Sequence, residues 1–141
     1  MTPLDLTQTP PRSPRERIEG LYMMARTVDK LRATLPGGKL GDYALKGFSQ
    51  RLLEHLGIKQ SDLFAVVAVA AGDDDVAAWL RKHTDRARYA EINDYFANRK
   101  IGDVGDREAF EAKYPVAKGL PDDALLIDML ERDDAAAFAK R

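Results

Sequence analysis

Three charges recur at intervals of three in this 141-residue sequence: Arg26, Asp29 and Arg32. Side chains three apart on a helix meet, so these three are read as one cluster. Two guanidinium forks beside a single carboxylate can grip a phosphate or carboxylate while the acid holds the forks in place. Lys30 lies in the same run, and Tyr43 follows a glycine-rich turn. Arg26, Asp29, Lys30, Arg32 and Tyr43 are therefore the candidate ligand-binding residues, with a small anion as the ligand. The competing expectation is structural. A charge that faces a core needs a partner, because an unpaired buried ion is very costly. The acidic C-terminal half offers Asp128 and Glu131 as such partners. Of the two, the structural reading is preferred.

Other chemistry finds less support. His55 and His83, the only histidines, lie 28 positions apart, without metal-ligand spacing. Gly47-Phe48-Ser49 echoes half of a nucleophile elbow but falls inside a helical pattern, not after a strand. Gly37-Gly38-Lys39 lacks the first glycine and the Ser/Thr of a phosphate loop. Asp73-Asp74-Asp75 and the group Asp128, Glu131, Asp133, Asp134 could hold a hard cation, but acids at helix starts already have a role against the helix dipole. Trp79, Tyr89, Tyr95 and Phe96 recur at helical spacing and read as core before they read as a stacking platform. No metal and no cofactor is expected.

The elements that would position these residues read as helices throughout. Ser13-Pro14-Arg15-Glu16 has the form of a capping box with proline at the first helical position. It predicts a first helix running to about Leu35, with Ile18, Leu21, Tyr22, Met24, Ala25, Val28, Leu31 and Leu35 on one apolar arc. Met23 falls on its polar face and hints at a partner surface. A second helix is expected from Gly41 to Leu56, stopped by Gly57 with Ile58 beyond it. A third, capped by Ser61, carries the run Leu63 to Ala71, apolar nearly all round, which marks a central buried element. Further helices are expected at Asp74–His83, from a Thr84 cap to Arg99, from Asp106 to Tyr114, and from Pro121 to Leu130. Asp133-Asp134 then caps a short tail, AAAFAKR. The expected fold class is all-α: a single compact domain of about six to seven helices over residues 13–141, after an extended Pro-rich segment at 1–12.

Composition bounds the rest. The chain is 45% apolar and 32% charged, as ordinary globular proteins are. It has no cysteine, which removes disulfides and thiol chemistry and fits a cytoplasmic location. Neither a signal peptide nor a membrane-length apolar run is apparent, so no membrane association is expected. The net charge of −1 conceals an asymmetry. Residues 11–39 hold seven Lys/Arg against three Asp/Glu, and residues 103–141 hold six against ten. The basic stretch is sparser than a nucleic-acid binder's stripe, which argues against that partner.

Several blocks resemble a bacterial family catalogued as domain of unknown function 5069: Pro11–Glu16, Ala25–Ala33, Leu40–Tyr43, Arg51–Ile58, Ala78–Leu80 and Ile127–Glu131. The resemblance covers most of the chain from Pro11 on and is most specific around Arg26, Asp29, Lys30, Arg32, Gly41 and Tyr43. Where such proteins tend to carry an Asn-Cys-Pro-Leu-Asp type stretch, this chain reads Leu45-Lys46-Gly47-Phe48-Ser49. The resemblance implies fold company and no chemistry, so the function stands as unknown. The first hypothesis is a small helical binding or regulatory module for an anionic ligand or a protein partner. An enzyme built on the first helix and the Gly37–Tyr43 turn, with Tyr43 or Asp29 as acid or base, ranks lower. A purely structural or dimer-forming module stays open, as monomer or homodimer.

Overall fold

The structure, a computed structural model, describes residues 1–139. Among them the chain forms seven α-helices: α1 (Met24–Ala33), α2 (Phe48–Leu56), α3 (Gln60–Val69), α4 (Asp73–His83), α5 (Tyr89–Asn98), α6 (Arg107–Lys113) and α7 (Leu126–Phe138). Short 3-10 turns stand at Arg86–Arg88, Ile101–Asp103 and Pro115–Gly119. Extended pairing among the described residues amounts to isolated bridges, so the fold is all-α. The chain divides into two compact units, Met1–Asn93 and Asp94–Arg141. No helix among the described residues is long and apolar enough to cross a membrane.

The first helix is far shorter than its sequence pattern suggests. Ser13 does accept a hydrogen bond from a nearby backbone N–H, but from Arg15 (3.1 Å), while the Glu16 N–H reaches the Ser13 carbonyl (3.0 Å). That is a tight turn, a geometry the same residue types favour. The next N–H groups then go to partners outside a helix. Met23 donates to the Pro14 carbonyl (2.9 Å), and Tyr22 donates to the Asn93 side-chain oxygen (3.0 Å). The Asn93 amide in turn donates to the Gly20 carbonyl (2.7 Å). Glu19 and Met23 take left-handed backbone angles, with φ of 53° and 68°, and only after Met23 does the helix begin. Met23 is fully buried, not the exposed surface expected of it.

The expected second helix also starts late. Gly47 holds φ 99° and ψ −122°, a conformation closed to side-chain-bearing residues, and α2 begins immediately after it. Its end matches expectation. Gly57 sits at φ 70°, its N–H bonds to Glu54 O (3.1 Å), and the Ile58 N–H bonds to Leu53 O (3.1 Å). These are the paired bonds of a Schellman stop. α3 starts at Gln60, just ahead of Ser61, and the Met1 amine donates to the Val67 and Ala70 carbonyls at its end (2.9 and 2.6 Å). Thr84 closes α4, donating to Leu80 O, and caps no fifth helix. Asp85 instead accepts from Ala87 N and opens the 3-10 turn before α5.

α3 overturns the sequence reading of its environment. It buries Leu63 and Val67, whereas Ala65 and Ala68 are exposed, Phe64 and Val66 are half-exposed, and Val69 is 85% exposed. α1, read as amphipathic, is buried at nine of its ten positions. The N-terminal unit also buries Leu6, Leu21, Leu52, Val76, Leu80 and Ile92. The lead-in joins that core by pairing with Lys39: Leu6 N–H to Lys39 O (2.8 Å) and Lys39 N–H to Leu4 O (2.9 Å).

In the C-terminal unit, Asp106 caps α6 as expected, accepting from Ala109 N (3.0 Å). Pro121 opens no helix. Residues 121–124 form a turn closed by Ala124 N–H to Pro121 O (3.0 Å), and the following segment pairs with residues 99–101. Claiming Leu125 for that bridge delays α7 to Leu126. α7 then runs unbroken through Asp133-Asp134, so these acids cap no separate tail. The tail's last two residues, Lys140 and Arg141, lie outside the described residues. Arg107 organises this unit: its guanidinium donates to Asp122 (2.6 Å), to Glu111 (3.3 Å) and to the Ala117 and Leu120 carbonyls (3.0 and 2.7 Å).

Candidate functional site

The polar side chains of α1 reach out to several segments of the N-terminal unit: Asp29 and Arg26 to Arg12, Thr27 to Ser49 on α2, Lys30 to Ala44 and Arg32 to Thr2. Asp29, 4% exposed, is the centre. Its carboxylate accepts from the Arg12 backbone N–H (2.8 Å), from Arg12 Nε (3.1 and 3.2 Å) and from Arg12 Nη2 (3.1 Å). Arg32 Nη1 stands 3.7 Å away, an ion pair between residues three apart. Arg12 simultaneously forks onto Asp73, with Nη1 2.6 Å and Nη2 3.1 Å from the two oxygens. One arginine thus joins a buried acid on α1 to an acid in the first turn of α4. Such charge-assisted forks carry directional specificity as well as energy. They push the Arg12 guanidinium above its ordinary pKa: the Asp73 hydrogen bond is the largest influence, burial works against it, and the Asp29 bond adds to it.

The neighbouring cations are spent on backbone carbonyls and on an aromatic face. Arg26, 2% exposed, donates through Nη1 to the Arg12 carbonyl (3.3 Å). Its guanidinium carbon lies 5.6 Å from the Tyr43 ring centre, within cation–π range. Lys30, 7% exposed, donates to the Ala44 carbonyl (3.0 Å). Arg32 donates to Thr2 O and Thr2 Oγ1, both at 2.9 Å. Thr27 Oγ1 donates to the Met23 carbonyl (2.8 Å) and shares a hydrogen bond with buried Ser49 (2.9 Å). Ser49 is therefore a buried packing partner of α1 and has no elbow geometry.

All five candidate residues are thus brought into one region. The structure adds two that the sequence pattern missed, Arg12 and Asp73. Arg12 was assigned to an extended lead-in and Asp73 to a helix start, and no spacing rule links positions 61 apart. The one available signal was electrostatic: Arg12 is a charge held among Pro10, Pro11 and Pro14, where a chain ordered by prolines could deliver it to a fixed place. Asp29's ionic partners Arg12 and Arg32 both lie in the N-terminal unit.

Two other features bear on function. A groove of about 620 Å³ lies beside the 40–46 turn, lined by Leu40, Ala44, Leu45 and Leu53 and by the polar Lys46, Gln50 and Glu54 among others. The Ala44 that lines it is the residue whose carbonyl holds Lys30. His83 ends α4, bonds through Nδ1 to Trp79 O (2.9 Å) and stacks on the Trp79 ring at 4.5 Å. Asp75 accepts from Ala71 N (2.8 Å) at the start of α4.

No curated protein matches this sequence. The family profile described as Domain of unknown function (DUF5069) matches residues 8–135, and the chain belongs to that family.

Proposed function

We propose that this chain is a binding module that engages a protein partner through the outward face of α3. The observation that carries this reading is the inversion of burial along that helix: an apolar segment leaves Ala65, Ala68 and Val69 exposed, with Val69 at 85%. Contiguous exposed apolar patches, when large enough, mark interaction surfaces, and these three residues share the outward side of α3 with exposed Ser61 and Asp62. Acid–base chemistry at Asp29 has less support. Three Arg12 nitrogens occupy its oxygens, so taking a proton there means giving up those bonds. The test is a photo-crosslinking side chain placed at Val69 in the full chain and, as control, at Lys82. Adducts of discrete mass confined to the Val69 position support the reading. No adduct there, or equal labelling from both positions, overturns it.

A second reading places a small anion at Arg26, Lys30, Arg32 and Tyr43. It is favoured by the placing of these groups in one region of the N-terminal unit, with Arg26 against the Tyr43 ring and Lys30 on the Ala44 carbonyl. Thermal-shift measurement with phosphate and with short carboxylates tests it, because a ligand that binds only the folded state raises the midpoint, logarithmically once its concentration exceeds Kd. A rise that Lys30→Met abolishes supports this site. Flat curves across both anion classes reject it.

A further inference from the structure

We draw no further inference here: the strongest candidate, the groove between the 40–46 turn and α2, has Lys46 and Glu54 together in its lining, so its charges select no ligand and nothing in the structure shows what covers it.

Discussion

α1 and α3 are each ten residues long and pack against one another, yet they invert the usual relation between composition and burial. α1 carries Arg26, Thr27, Asp29, Lys30 and Arg32 and is buried at nine positions. α3 is apolar from Leu63 to Val69 and, of its own residues, buries Leu63 and Val67. What differs is the supply of partners. Each polar side chain of α1 described above makes at least one hydrogen bond to a segment that has backbone carbonyls or side chains to offer, although Arg26 Nε itself has no hydrogen-bond partner. Buried polar groups persist when satisfied in this way. α3 packs against α1 and α4 and buries a single narrow stripe, and exposed apolar side chains carry little penalty in a folded chain. Burial here follows position in the unit and the availability of partners. Residue type alone predicts it poorly.

That contrast can be broken by mutation, and the largest effect should come from α1's centre. Asp29→Ala strips Arg12 and Arg32 of a buried carboxylate and is expected to destabilise by about 3–5 kcal/mol, the range for breaking a buried ion pair. Chemical denaturation measures it, and a loss under about 1 kcal/mol would show the Asp29 pairing to be dispensable, since that is the range of an exposed pair. Thr27→Val leaves the Ser49 hydroxyl buried beside a methyl group; an expected cost of about 1–3 kcal/mol follows from the lost bond and the stranded donor. The outer limb of the arginine bridge should matter less. Arg12 and Asp73 are 28% and 40% exposed, so Asp73→Ala is expected to cost no more than about 1 kcal/mol, shrinking further in high salt. Val69→Lys should have the smallest effect on the single chain, within about 0.5 kcal/mol in dilute solution. A penalty as large as that of Thr27→Val would mean the α3 face is structurally committed.

Much of the architecture was legible in the residues themselves. The helical class, the Gly57 stop and the Asp106 cap follow from local chemistry, and the backbone obeyed it. The start of α1 was not legible, because Ser13-Pro14-Arg15-Glu16 is as good a turn as it is a helix cap. The choice was made by Asn93, which holds the Gly20–Tyr22 backbone from a distance no local pattern encodes. The same limit applies to the site. Spacing brought Asp29 and Arg32 together correctly, since three residues on a helix is a local relation. Arg12 and Asp73 meet Asp29's cluster through the fold, so periodicity was blind to them. Periodicity also misassigned both helices' surroundings, because it takes polarity as a sign of water.

Because α1 holds the chain near Thr2, Arg12 and Ala44 through its own side chains, those three irregular segments are not expected to open independently of it. Local opening of a loop ordinarily proceeds at its own low free energy, separate from the core. Here each loop's release exposes part of the same helix, and loss of the helix releases them all. Amide hydrogen exchange should therefore show the three segments sharing one opening free energy with α1, close to that of global unfolding. They behave as a cooperative unit despite their irregular backbone, so the least regular parts of the N-terminal unit are among its slowest to exchange.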